Sequence, residues 1–282
     1  MSSPWYPSHM AKTKKIIKEQ LKLCDAVLEL RDARVPRSSS NPILSRLIGN
    51  KSRIVILNKA DLADPVATRT WHKLLSEAGY LVAVVDAVKG QGVSQVTKLL
   101  RRLSFQRSRL FPGAPVRAMV IGIPNVGKSS FINRMVGKRV AMTGRSPGIT
   151  RGKQWIRIGR GCELLDTPGV LWPNMEDPEV VFKLGAVGAT KVDEPGLVAA
   201  GSWLVEWLAH NSPESLMQRF GLPHLPEDKE RVLEMIGEKR GLLLGGGRVD
   251  IAKAAAVFLR EFQSGRLGRF TLDEPMADSD NW

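Results

Sequence analysis

The run Gly122-Ile123-Pro124-Asn125-Val126-Gly127-Lys128-Ser129-Ser130 constrains this chain more than any other feature. It lies between an apolar stretch, 116–122, and a helical pattern over about 128–136. It satisfies G-x-x-x-x-G-K-[ST] in the strand–loop–helix context that the pattern requires. Glycines let backbone N–H groups turn inward around phosphate oxygens, and the following helix aims its positive end at the same charge. Lys128 is expected to reach the β and γ phosphates of a nucleotide, and Ser129 to offer its hydroxyl to Mg²⁺. Asn125, Val126, Gly127 and Ser130 complete the cradle.

Asp166-Thr167-Pro168-Gly169 ends an apolar strand pattern about forty residues later. A carboxylate there is placed to hold Mg²⁺ through water, and the Gly169 amide to meet the γ-phosphate. Between the two motifs, Pro147-Gly148-Ile149-Thr150 sits in a basic stretch. Thr150 is the candidate switch threonine, contacting Mg²⁺ only when the γ-phosphate is present.

Base recognition comes from upstream. Asn58-Lys59-Ala60-Asp61 directly follows the strand pattern RIVILN. The Asp61 carboxylate can accept hydrogen bonds from guanine N1–H and the 2-amino group, a pair that adenine lacks. Lys59 would pack its stem against the base, and Asn58 would tie the loop together. After the next apolar stretch, Asp86-Ala87 stands as a second base-contacting pair, with Asp where Ser is usual. In ordinary GTPases base recognition follows the phosphate loop, whereas here it precedes it. A chance turn would not place every motif after a strand of suitable character; a circular permutation does.

Strand patterns at 24–30, 53–58, 80–86, 116–122, 153–158 and 161–166 alternate with helical ones at 10–23, 65–78, 91–104 and 128–136. That alternation predicts a mostly parallel sheet with helices on both faces. Beyond 178 only helical spacing recurs, around 196–210, 227–239 and 250–263. The expected architecture is an α/β domain over 1–178 followed by a smaller all-α domain over 179–282. Asp250 is the expected N-cap of the last helix and Gly265 its stop.

Lys and Arg exceed Asp and Glu by 42 − 28 = 14, and the pI is about 10.1. Such a charge is the footprint of a polyanion binder, nucleic acid before anionic membrane. Lys12, Lys14, Lys15, Lys18 and Lys22 crowd the first helix, and Arg260, Arg266 and Arg269 flank the last. No RNP, KH or zinc-knuckle pattern names a base-reading mode. Two cysteines, Cys24 and Cys162, read as buried thiols rather than a disulfide framework or zinc site. No apolar run reaches the roughly 20 residues of a membrane span, and no leader pattern opens the chain. The expectation is a cytoplasmic monomer without stable membrane association.

Several stretches carry a resemblance: WYPSHMAK at 5–12, DARVPRSSSNP at 32–42, NKADLAD at 58–64, GIPNVGKSS at 122–130, PGIT at 147–150, LLDTPGVLWP at 164–173 and the tail from Gly245 to Arg269. The chain resembles the circularly permuted GTPases, most closely the ribosome-biogenesis GTPase A (YlqF) type. The resemblance implies GTP hydrolysis stimulated by the ribosome, a role in late assembly of the large ribosomal subunit precursor, and contact of the helical domain with ribosomal RNA. The alternative is a GTP-regulated RNA-binding or signalling switch with a non-ribosomal partner.

Classical GTPases orient water with a glutamine after D-x-x-G, but this chain has Val170. The family's W-[FY]-P-G-H-M motif supplies His9 instead, with Ser8 in place of Gly. Catalytic roles thus fall to His9, Lys128, Thr150 and Gly169. By the same resemblance Asn125 would help ligate K⁺; the other reading is that it bonds only its own loop.

Overall fold

The computed structural model describes residues 8–40, 47–49, 51–137, 154–159, 161–166, 177–190 and 193–275, with the side chains of 8–14, 108, 110, 154 and 166 outside the description. Among these residues six strands form one sheet: β1 (Ala26–Asp32), β2 (Ser52–Asn58), β3 (Leu81–Val85), β4 (Val116–Gly122), β5 (Gln154–Ile158) and β6 (Cys162–Asp166). Their order is β3-β2-β1-β4-β6-β5, parallel throughout except for the β5–β6 pair.

Alternation along the strands sends side chains to two covered faces, as a parallel sheet requires. Ala26, Leu28 and Leu30 face α3 (Val93–Leu110) and α4 (Lys128–Val136), which contribute Val96, Leu100, Phe131 and Ile132. The opposite face carries two separate clusters. Val27, Met119, Ile121 and Leu165 pack on Ile17, Leu21 and Cys24, the first two from α1 (Ser8–Leu21). Val55, Leu57 and Val82 pack on Trp71 and Leu75 of α2 (Pro65–Glu77). On that same face of β1, buried Glu29 accepts from Arg31 at 3.2 Å and pairs with Arg53 at 2.7 Å. Both cysteines are free and buried, and burial pushes the Cys24 thiol up to about 11.

Helix α3 runs to Leu110, beyond the end expected from sequence, because Pro112-Gly113 is its first strong breaker. After β6 the described residues hold only helices: α5 (Pro178–Ala186), α6 (Glu194–Asn211), α7 (Pro213–Phe220), α8 (Lys229–Lys239), α9 (Ile251–Gln263) and a 3₁₀ turn, Gly245–Gly247. Aspartates cap four of them. Asp177, Asp193, Asp228 and Asp250 accept from backbone N–H groups of the first turns at 2.9–3.0 Å. Two short helices, α5 and α7, were not legible as separate periodic segments.

The helical half packs around α6. Gly201 brings α6 close to α9: a Cβ there would sit 3.1 Å from Ala255 Cβ. Among the described residues no helix is long and apolar enough to cross a membrane.

Gly201→Leu would wedge α6 from α9. It is expected to cost about 1–3 kcal/mol, read as a lowered urea midpoint with an unchanged slope.

Candidate nucleotide site

Parallel strands deliver their loops to one edge of the sheet. Asp32, Asn58, Val85, Gly122 and Asp166 end β1, β2, β3, β4 and β6. Successive connections lead away from β1 toward β2 and β3 on one side, and from β4 toward β6 on the other. The crevice at such a switch point, outside the carboxyl ends, is where open α/β sheets bind ligands.

The phosphate loop leaves β4 at Gly122 and enters α4 at Lys128. Gly127 holds φ +100°, and a Cβ on it would lie 2.5 Å from Asn58 Nδ2, so only glycine fits. The Lys128 amine donates to the carbonyls of Gly122 at 3.0 Å and Ile123 at 2.9 Å, which folds the loop around it. Ser129 and Ser130 follow in the first turn, half-buried.

Asn58 joins the two candidate recognition loops. Its Nδ2 donates to the Val126 carbonyl at 2.8 Å, and its Oδ1 accepts from the Ala87 amide at 3.1 Å. One buried amide therefore holds the candidate base loop, the candidate phosphate loop and the loop after β3 together. Asp86 turns inward: its Oδ1 accepts from the amides of Val88 and Lys89, both at 2.9 Å, and shapes its own loop. Its neighbour Ala87 is the backbone partner of Asn58. Asp61 is half-buried on the same loop as Lys59.

Lys59 and Asn125 are the two non-glycine residues with positive φ among those described, at 60° and 56°. Such conformations concentrate at ligand sites because the surroundings must enforce them. The enforcing contacts are visible. Lys59 Nζ pairs with Asp32 Oδ2 at 3.0 Å, and Asn125 Nδ2 donates to the Gly188 carbonyl at 2.8 Å. Neither open reading of Asn125 anticipated a bond to the helical half.

Asp32 was missed as a site residue in the sequence. It is buried between Lys59 and Arg34, whose Nε and Nη2 contact its two oxygens at 2.9 and 2.8 Å. Burial alone would raise its pKa, but the charges of Arg34 and Lys59 hold the carboxyl well below the usual carboxylate range. Burial depresses the pKa of Lys59, against the opposing pull of Asp32. The missed signal is register: Asp32 pairs directly with Asn58 in the parallel ladder.

Several expected site residues fall outside the description. Thr150 and Gly169 lie outside the described residues altogether, as does Val170. His9 lies in the first turn of α1 and Asp166 ends β6, with their side chains outside the description. The Asp166 backbone pairs with Val120, two residues before Gly122, which puts it beside the phosphate-loop strand.

Comparison with known proteins identifies the family. The family described as 50S ribosome-binding GTPase matches residues 117–200. Ribosome biogenesis GTPase A of Priestia megaterium is 44% identical over 281 residues, covering 98% of each chain. The chain belongs to the ribosome biogenesis GTPase A family. It is a guanine-nucleotide-binding GTP hydrolase. Mouse mitochondrial ribosome-associated GTPase 1 is 36% identical, covering 95% of this chain and 89% of its own. The crystal structure of GNP-bound YlqF from T. maritima superposes with a TM-score of 0.66 at 30% identity, covering 94% of this chain and 98% of that one. The circular permutation read from motif order is consistent with that family.

Two outcomes test the site. Asn58→Ala orphans the Val126 carbonyl and the Ala87 amide. GDP affinity, measured by fluorescent-nucleotide titration, is expected to fall about tenfold or more, on the roughly 1–3 kcal/mol cost of an unsatisfied buried group. Asp32→Asn leaves Arg34 and Lys59 uncompensated and is expected to cost about 3–5 kcal/mol of stability. The pH dependence has a definite sign. Because the folded pKa of Asp32 lies below its ordinary value of 3.8, the folded state binds fewer protons. Its contribution is full above that value and is lost as pH falls toward the folded pKa. Urea midpoints of wild type and Asp32→Asn should therefore converge below about pH 4.

Proposed function

We propose that this GTPase binds the precursor of the large ribosomal subunit, through ribosomal RNA, and uses GTP binding and hydrolysis to promote its late assembly. The observation that carries the reading is the Asn58 bridge, which unites base and phosphate recognition in a chain of net charge +14. The names of the relatives, which speak of ribosome biogenesis and of a ribosome-associated GTPase, support the partner.

The basic residues have an exposed outlet. Lys15 and Lys18 are exposed on α1 and Lys22 just past its end, and Lys98, Arg101, Arg102 and Arg109 are exposed on α3. Near the end of α3, exposed Phe105 lies under Arg109 and exposed Phe111 under Arg107, each guanidinium 5.2 Å from the ring centroid. Arginine and exposed aromatics together suit RNA phosphates and unstacked bases. Of these basic residues Lys22 pairs with Glu19 at 3.0 Å and Arg107 with Asp25, as Arg266 pairs with Glu261 at 3.1 Å, and Arg269 bonds backbone carbonyls of its own chain.

Within the site, Asp61 would accept from guanine, and Asp86-Ala87 would close the base pocket through the Ala87 backbone. Asn125, Val126, Gly127, Ser130 and Gly169 would line the phosphates with backbone donors. Lys128, held on its own loop by two carbonyls, would exchange these for the β and γ phosphates. Ser129, Thr150 and Asp166 present the hard oxygen donors that Mg²⁺ takes. When bound, that ion neutralises charge developing between the β and γ phosphates. The Asn125 amide nitrogen is committed to Gly188, so its amide oxygen is the atom K⁺ would use. His9 would orient the attacking water, since Val170 has no polar group to do so.

Hydrolysis should be measured with and without purified large subunits, in KCl and in NaCl. At least a tenfold stimulation by subunits is expected, higher in KCl. His9→Ala should lose it while still binding GDP. If subunits neither bind at moderate salt nor change turnover, the ribosomal reading fails. Equal rates in the two salts would remove the K⁺ role of Asn125.

A further inference from the structure

Beyond α9 the chain turns at Gly265, φ +73°, and returns over the α/β half. Residues 269–273 bond to that half at every position. Arg269 Nη2 donates to the Ala60 carbonyl at 2.8 Å and its Nε to the Ala63 carbonyl at 2.9 Å. The Phe270 amide donates to the Leu62 carbonyl at 3.2 Å. Thr271 Oγ1 accepts from the Asp64 amide at 3.2 Å, and the Leu272 amide donates to the Arg34 carbonyl at 2.7 Å. The buried Asp273 carboxylate anchors the end, accepting from the amides of Arg37 and Ser38, both at 2.8 Å.

The placement of these bonds is selective. The two carbonyls gripped by Arg269 belong to residues on either side of Asp61, the proposed guanine acceptor. A carboxylate that reads two adjacent donors must be fixed in angle as well as position, because hydrogen bonds weaken steeply off line. The base loop begins at Lys59 in a left-handed conformation and closes one turn of its own, the Leu62 amide donating to the Lys59 carbonyl at 2.9 Å, while the Ala60 amide donates to the Val85 carbonyl at 3.2 Å. Beyond that turn, the donors that hold the carbonyls of Ala60, Leu62 and Ala63 come from the C-terminal segment.

We propose that this strap is a positioning element for guanine recognition, and that Arg269 is a positioning residue that sets the angle of Asp61. Arg269 itself stays off the nucleotide. The inference rests on the reading of Asn58–Asp61 as the base loop.

The test uses the full chain and titrates fluorescent GDP and IDP, which differ only by the 2-amino group that Asp61 reads. Arg269→Ala should raise the Kd for GDP by about three- to tenfold and that for IDP by less, so that discrimination narrows. Turnover at saturating GTP should be unchanged. Arg269→Lys keeps a donor for one carbonyl and should recover part of the discrimination. Arg266→Ala, three residues before the strap and paired with Glu261, should leave both affinities unchanged. Unaltered discrimination in Arg269→Ala, or an equal loss for both nucleotides, would overturn the proposal. Should Arg269→Ala fail to fold, Arg269→Lys decides: with normal thermal stability, narrowed discrimination supports the proposal and wild-type discrimination overturns it. Asp61→Ala separates the layers. If it too leaves discrimination intact, the base-loop reading falls; if it abolishes discrimination while Arg269→Ala does not narrow it, only the strap proposal falls.

Discussion

Everything at the nucleotide edge depends on the two hydrogen bonds of one buried amide, Asn58. In this motif order the strands that lead to the proposed base-reading loops, β2 and β3, come before β4, which leads to the proposed phosphate loop. Strand β1 separates β2 from β4 in the sheet. Lateral ladder bonds fix strand spacing, but they do not fix how a loop projects beyond the strand ends. Asn58 does this by donating to Val126 in one loop and accepting from Ala87 in another. An amide suits the position because it offers a donor and an acceptor in one plane. Aspartate, of similar shape, would set a buried carboxylate against the Val126 carbonyl.

The charges behind the site follow from the same geometry. A lysine in the left-handed region at a strand end needs a partner to keep it there, and Asp32, which pairs with the preceding residue Asn58 in the ladder, is that partner. Alone in the interior, that carboxylate with one lysine would be poorly compensated. Arg34 supplies the remaining contacts, and its guanidinium also lies 5.7 Å from the Phe262 ring of α9. The sequence D-A-R at the end of β1 thus has a reason: the aspartate faces the base motif, and the arginine two residues on binds that aspartate and reaches the helical half.

Much of this was legible because it is local. A phosphate loop is contiguous, its strand and helix are contiguous with it, and its glycine spacing follows from backbone geometry. The sheet strands were legible for a similar reason, since each is a short apolar run between polar loops. Strand order was not read, because register and neighbours are decided by packing among segments far apart in sequence. The same holds for Asp32, whose role appears only when β1 lies beside β2, and for Arg269, separated from Ala60 by 209 positions. Asn125 shows the limit from the other side: its motif position was clear, while its partner, Gly188, belongs to a different half of the chain.

The helical half therefore grips the nucleotide edge from two directions. On the phosphate side the contact is Gly188, just past the end of α5, on Asn125. On the base side it is the end of α9 on Arg34 and the strap on the loop around Asp61. The two grips belong to one packed body, since α5 and α9 both pack with α6 around close approaches such as Gly201 on Ala255. A rigid body that touches both ends of a site cannot shift against one without disturbing the other, because packed interiors do not deform continuously. If a partner of the helical half binds the two nucleotide states with different affinity, linkage requires the nucleotides to bind differently by the same factor in its presence. Permutation makes that route short: the chain leaves β6 at Asp166 and enters the helical half at Pro178, so the segment that carries Gly169 is itself the connection between the nucleotide edge and the body that grips it.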